Sequence, residues 1–252
     1  MTTGTKTILV TGATGTLGRP LCARLAADGH EVRELSRRSR TYPVDLRRGT
    51  GLDEALAGVH TVVHCATAPR GGDEEAARNL IAAARRAGVR HLVYVSIVGV
   101  DRVPLGYYRT KLAVERLVEG SGLGWTVLRA TQFHDLVVQV LAAAAKVPWV
   151  MPVPAGVSDQ PVDVGEVADR LAVLAAGPPA GRAPDMGGPE IRTFTELARA
   201  YLAASGRRRK VLAVPLAGRV YRAFRAGGHL TPTHATGART FAQYLRERPP
   251  AP

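Results

Sequence analysis

Apolar residues recur in two alternating rhythms over the first half of the chain. TKTILV (5–10) is a short, nearly unbroken apolar run, as a buried parallel strand presents. TGATGTLG then leads into RPLCARLAADG, which has helical periodicity and a final glycine suited to a helix C-cap. HEVREL (30–35) reads as a second strand, TYPVDL (41–46) as a short third, LDEALAG (52–58) as a helix and HTVVHCAT (60–67) as a strand. DEEAARNLIAAARRAG (73–88) is predicted helical, with acids in its first turn and arginines in its last, the signs that suit the helix dipole. RHLVYVSIVGV (90–100) is a strand, YYRTKLAVERLVEGSG a helix and GWTVLRAT (124–131) a strand. This alternation implies βαβ units: an α/β fold with a doubly wound parallel sheet covered by helices on both faces. Ligands of such sheets bind beyond the carboxyl ends of the strands.

After residue 131 the pattern loosens. DLVVQVLAAAA reads as helix, and PWVMPVPAGVSDQPV as a Pro-rich irregular stretch. VGEVADRLAVLAAG (164–177) is a helix, and PDMGGPE looks like a strand and turn. TFTELARAYLAASG (193–206) is a helix opened by Thr193, with Glu196 three residues on in a capping-box pattern. RRRKVLAVPL, GRVYRAFRAG and a tail ending RPPAP follow. The organisation expected is a parallel-sheet core over 1–131 to which 162–190 returns, with 132–161 and 191–252 forming a small second lobe that closes over it.

A hydrophobic content of 46% supports a substantial core, and aromatics at 5% leave that core to Ala, Val and Leu. No secretory signal is visible, and the apolar stretch 136–145 falls short of the roughly 20 residues a bilayer span takes. A cytoplasmic protein without a membrane span is expected. Cys22 and Cys65 lack CxxC spacing and read as packing residues. His60 and His64 flank a strand, where their spacing does not converge, so no metal site is assigned. The net charge of +13 comes mostly from arginine. RRRK (207–210) and Arg219, Arg222 and Arg225 form a basic surface, but no docking motif or run of interleaved aromatics accompanies them. That argues against a nucleic-acid partner and for a solvated basic face, with an acidic substrate or anionic membrane as the second reading.

TGATGTLG puts glycines at Gly12, Gly15 and Gly18, after a strand and at the start of a helix. In that context Gly12 permits the tight turn, Gly15 the approach of backbone to a diphosphate, and Gly18 the packing of helix on strand. Thr14, Thr16 and Leu17 complete the loop. Just past the second strand, where an acid would hold a ribose 2′-hydroxyl, stand Ser36, Arg37, Arg38 and Arg40. Guanidiniums grip a 2′-phosphate that an acid would repel, so NADP(H) is predicted, with Arg37 the main contact and Ser36 and Arg38 assisting. Glu34 is the competing feature, since it would hold a ribose if the strand ended earlier.

With TGATGTLG, VDL (44–46), HCAT (64–67), YVSIVGV (94–100), YYRTKLAVE (107–115) and WTVLRATQFHD (125–135), the chain resembles the short-chain dehydrogenase/reductase superfamily in its atypical, NmrA-like, NAD(P)H-binding branch. The resemblance covers most of the chain and is firmest over the first 135 residues. It implies a Rossmann-type fold, NADP(H) and a C-terminal substrate lobe. It implies Asp45 and Leu46 along the adenine and Ala66 and Thr67 along the ribose. The superfamily's Ser, Tyr and Lys match Ser96, Tyr107 and Lys111.

An independent physical case supports that set. Tyr107 and Lys111 are i,i+4 on one helix face. An ammonium beside a phenol lowers its pKa, and the lysine can also hold the nicotinamide ribose. Ser96, at a strand end, would polarise a substrate carbonyl while Tyr107 gives a proton. Ser96 and Tyr107 are closer in sequence than in the superfamily's standard branch, and Tyr108 (i,i+3 to Lys111) and His134 compete as acid. Val98, Tyr108, Phe133 and His134 are the expected substrate contacts. The function expected is reduction of a carbonyl, enone or quinone-like small molecule. A non-catalytic NADP(H) sensor and a nucleotide-sugar epimerase or dehydratase are the alternatives. The helices that flank the sheet offer a surface for a homodimer.

Overall fold

The structure, a computed structural model, describes residues 4–68, 71–248 and 250. In chain order its elements are β1 (Thr7–Thr11), α1 (Gly18–Ala27), β2 (Glu31–Ser36), β3 (Tyr42–Pro43), α2 (Leu52–Leu56), β4 (Thr61–His64), α3 (Asp73–Arg86), β5 (His91–Ile97), α4 (Gly106–Glu119) and β6 (Gly124–Ala130). There follow α5 (His134–Ala144), β7 (Val150–Pro154), β8 (Ser158–Asp159), α6 (Val164–Ala176), β9 (Gly181–Arg182), β10 (Arg192–Thr193), α7 (Phe194–Ala204), β11 (Lys210–Val214), α8 (Arg219–Arg225) and α9 (Phe241–Glu247).

The chain packs into two units. The first holds the chain up to Ser96, Gly106–Arg129 and Gly165–Pro184; the second holds Ile97–Leu105, Ala130–Val164 and everything from Asp185 on. The last residue of β5, Ile97, and the stretch that follows it to Leu105 thus pack with the second unit.

The first unit is a sheet in the order β3-β2-β1-β4-β5-β6-β9. β1 runs parallel to both β2 and β4, which places β1 and β4 at the point where the strand order reverses. That is where a doubly wound sheet opens a crevice beyond its strand ends. The apolar runs that signal the strands become its interior: Ile8, Leu9, Val10, Val62, Val63, Leu92 and Val93 are buried, with Leu80 and Ala84 of α3 and Val114 and Val118 of α4 packed from outside.

In the second unit, α5, α7 and α9 pack with β7 around Leu141, Met151, Val153, Leu197, Tyr201 and Phe241. The Pro-rich stretch expected to be irregular holds β7 and β8, and β7 pairs in parallel with β11. The strand expected in PDMGGPE is a single bridge from Met186 to Ala130, the seventh strand of the main sheet being β9 instead. The expected capping box is formed: Thr193 accepts from Glu196 N while Glu196 accepts from Thr193 N. A second one, Thr240 with Gln243, opens α9.

Candidate functional site

The glycine turn begins where β1 ends. Gly12 has φ 68°, and a Cβ there would lie 2.9 Å from the N and Cα of Ala66, just past β4. The two strand exits are therefore pressed together at a spacing only glycine allows. At Gly18 a Cβ would meet Gly12 O at 2.2 Å, so α1 is seated directly on the turn. Gly15 N closes the turn by donating to Gly12 O at 2.9 Å. α1 starts after Leu17 with no side-chain cap and no acid in its first turn, which leaves its positive end open to an anion.

β2 ends at Ser36, so Arg37 and Arg38 follow the carboxyl end of the strand, both exposed. Ser36 Oγ accepts from Arg38 N (3.1 Å) and from Thr14 Oγ1 (3.2 Å), which ties the arginine turn to the glycine loop. Glu34 stands two residues earlier. With Ala13, Thr14, Arg19, Cys22 and others it lines a groove of about 460 Å³ against α1. Burial first, and the charge of Glu34 second, push the Cys22 thiol up to about 12. Of the residues assigned to adenine, Leu46 has its side chain in the core of the first unit, and Asp45 Oδ1 accepts from Arg47 N at 3.0 Å.

Past β4, Ala66 N donates to Thr11 Oγ1 (3.2 Å), which shares a hydrogen with His64 Nδ1 at 2.8 Å. His64 is buried and neutral, its pKa pulled down to about 3 by desolvation and then by the Lys111 charge. Thr67 Oγ1 donates to Asp73 Oδ2 at 2.8 Å, and Ala68 N donates to Asp73 Oδ1 at 2.6 Å. Tyr107 Oη lies 3.0 Å from Thr67 Oγ1. Because the Thr67 hydrogen is committed to the carboxylate, the hydrogen in that contact is the phenol's.

Lys111 sits one turn along α4 from Tyr107 and is only 4% exposed. Its Nζ donates to Val95 O at 3.3 Å and lies 4.9 Å from the centre of the Tyr94 ring and 6.0 Å from that of Tyr107. One of its three N–H groups is spent on that carbonyl. Desolvation lowers its pKa, against the pull of Asp73. The lowering of the Tyr107 pKa by Lys111, expected from the sequence, is not what the surroundings produce. Burial raises the phenol, and Asp73 adds to the rise while the Thr67 hydrogen bond opposes it. Ser96, at the end of β5, is buried with Oγ making no hydrogen bond among the described residues. The first unit therefore gathers Tyr107, Lys111, Thr67 and Asp73, and buries a lysine and a serine with hydrogen-bonding capacity unspent. Such groups are costly without a ligand, so the set fits a bound dinucleotide.

The expected substrate contacts divide between buried and partly exposed positions. His134 is fully buried in the second unit, its Nε2 donating to Arg239 O at 3.1 Å and its ring 5.0 Å from that of Tyr244. That bond and the packing against Phe241 and Tyr244 hold the ring in place. Val98 and Tyr108 are buried too, at 0% and 2% exposure, and Phe133 is the N-cap of α5, partly exposed. Asp73 escapes the sequence reading because its position among three acids at a helix start signals only dipole matching.

A glycine turn at the strand-order reversal, an uncapped helix start and a buried lysine across the crevice define a nucleotide-binding α/β protein of the doubly wound class. The model of the NAD(P)H-binding family matches residues 12–139. The chain belongs to that family. It is 36% identical over 210 residues to a (4-alkanoyl-5-oxo-2,5-dihydrofuran-3-yl)methyl phosphate reductase of Streptomyces griseus, covering 75% of this chain and 70% of that one. Among solved structures, an NADPH-dependent quinone oxidoreductase of Escherichia coli in complex with NADPH superposes with TM-score 0.77 at 21% identity, over 95% of this chain and 99% of the other. A triphenylmethane reductase of Citrobacter sp. with NADP(H) gives 0.73 at 20% identity, over 95% and 99%. These two likenesses are of fold. No helix among the described residues is long and apolar enough to cross a membrane.

Proposed function

We propose that the protein is an NADP(H)-dependent oxidoreductase that reduces a carbonyl, enone or quinone-like small molecule by hydride transfer. The observation that carries this reading is the buried Lys111 ammonium, held below Tyr107 by a single carbonyl. The relative from Streptomyces griseus, whose name specifies a reductase of an oxo-dihydrofuran bearing an alkanoyl group, supports the substrate class. The NADP-binding fold neighbours support the cofactor.

The reduced nicotinamide, when bound, supplies the hydride. The chain's own groups do the rest. The start of α1 faces the diphosphate, and Arg37 and Arg38 take the 2′-phosphate with Ser36 fixing their turn. Lys111 would donate to the nicotinamide ribose with the N–H groups that Val95 leaves over. Ser96 Oγ polarises the substrate oxygen. Tyr107 turns its proton from Thr67 to the reduced substrate.

Titration of the protein's fluorescence with NADPH and NADH, followed by a panel of quinones, enones and ketones read by nicotinamide absorbance, tests this. NADPH should bind at least about tenfold more tightly than NADH, and Arg37→Ala with Arg38→Ala should erase the difference; a bidentate phosphate contact of this kind accounts for such a ratio. Tyr107→Phe should keep cofactor affinity and lose roughly 10²-fold or more in turnover, the usual contribution of a general acid. Tight NADPH binding with no oxidation by any acceptor would move the protein to the second reading, a redox sensor. The Tyr107 hydrogen bond to Thr67, which points the proton away from a substrate, is the observation favouring that reading.

A further inference from the structure

In the second unit β7 and β11 form a two-stranded parallel ribbon, with Lys210 opposite Val150 and Leu212 opposite Pro152. Met151 and Val153 of β7 are buried in the core, and Val211 of β11 packs against it. Strand side chains alternate, so Val150, Pro152, Lys210 and Leu212 share the outer face of the ribbon. Both strands start at the same end. There Lys210 N donates to Trp149 O at 3.2 Å, which sets the run Arg207, Arg208, Arg209, Lys210 beside Trp149. Arg208, Arg209 and Lys210 are exposed, as is Lys146 before the strand. Trp149 is 86% exposed, and Val147, Leu212 and Leu216 are also exposed. Trp149 is the only non-glycine residue with positive φ among the described residues, at 65°. A large aromatic held out into water on a strained backbone, among exposed aliphatics and a cationic run, has the composition of an interfacial membrane anchor.

We propose that this end of the ribbon docks on an anionic lipid bilayer, with Trp149 and Leu212 at the headgroup–acyl boundary and Arg207, Arg208, Arg209 and Lys210 against lipid phosphates. Charge complementarity selects the partner: the chain carries +13, and each cation near an anionic leaflet adds attraction. The aliphatic flank separates it from a single-stranded nucleic acid, which asks for successive aromatic platforms where this face offers one. This surface belongs to the second unit, the glycine turn and Lys111 to the first.

The test uses the full chain with Trp125→Phe, so that Trp149 is the sole tryptophan. It is titrated with vesicles of phosphatidylcholine alone and of phosphatidylcholine mixed with phosphatidylserine. The mixed vesicles should co-sediment the protein at least about tenfold better, shift Trp149 emission to the blue, allow quenching by brominated acyl chains, and release the protein at high salt. Arg208→Glu with Arg209→Glu, at exposed positions, should lose about tenfold or more in binding with the melting temperature unchanged. Trp149→Gly, which relieves the positive φ, should bind more weakly while melting no lower. Equal binding to both vesicle types, or none, overturns the proposal. So does a Trp149 shift given by an oligonucleotide and not by vesicles, or one given by raising protein concentration alone, which would assign the face to a second copy of the chain.

Discussion

Tyr107, Thr67 and Asp73 form a chain of hydrogen bonds whose donors all point inward, phenol to hydroxyl to carboxylate. The carboxylate raises the phenol's pKa and also raises that of Lys111. An acid that must be protonated loses activity as pH rises through its pKa, so the alkaline limb of turnover should lie above the ordinary phenol value of 10.0 if Tyr107 governs it. Asp73→Asn removes a charge that raises both groups. It should move that limb to lower pH, measured as turnover against pH at saturating cofactor. A limb that stays put would assign the proton elsewhere. Of these residues the sequence exposes Tyr107 and Lys111, because helical spacing puts them on one face. Asp73 is hidden because a first-turn acid is expected to face solvent near the dipole, whereas this one folds back onto residues 67–68 and is buried. The setting of His134 was hidden too: nothing in TQFHD tells which side of α5 the ring takes, and packing against Phe241 and Tyr244 decides it.

α4 carries both Tyr107 and Lys111, and one buried ion cluster fixes it to the sheet. Glu115, one turn beyond Lys111, takes Arg129 of β6 in a fork at 2.8 and 2.6 Å and has Arg182 of β9 at 3.5 Å. Removing one partner of a buried pair leaves an uncompensated charge, at about 3–5 kcal/mol. Glu115→Ala should therefore lower the melting temperature by about 10 °C, at roughly 2–4 °C per kcal/mol for a chain of this size, and calorimetry reads it directly. Capping chemistry made α7 legible from its sequence. β7 was not legible, because Pro148, Pro152 and Pro154 break its pattern. Its prolines are tolerated for a positional reason. Ala155 N donates to Val214 O across the ribbon, so the alternate positions Pro152 and Pro154 face the open edge, where no N–H is needed.

At the scale of the molecule, the alternation of short apolar runs with helical periodicity was enough to place six of the seven strands of the main sheet; the seventh, β9, is too short to leave a pattern. The second unit was harder to read because its contacts join segments far apart in sequence through single side chains. Gln160 donates to Gly188 O and accepts from Thr231 N, with Asp159 buried beside it. Burial raises Asp159 from 3.8 to about 7, against the Gln160 N–H that favours its charged form. The native state thus holds a proton there that the unfolded chain has released. Stability is full below the unfolded value near 3.8 and falls as pH rises to about 7. Asp159→Asn, which keeps an acceptor for Gln160 N without the charge, should raise the denaturation midpoint at pH well above 7 and change it little in mild acid. Chemical denaturation at the two pH values checks this, and equal effects at both would show that the carboxyl titrates normally.

The reversal of strand order between β1 and β4 also bears on how the protein is made. The glycine turn is synthesised before the lysine, which arrives with α4, after two further strands have been laid beside β1. A nascent chain thus carries half of its dinucleotide site until α4 is made and can fill none of it before then. The nucleotide meets only a finished first unit. Its supply in the cell should therefore lengthen the life of completed molecules, by mass action on the native state, and leave the rate at which new ones fold untouched.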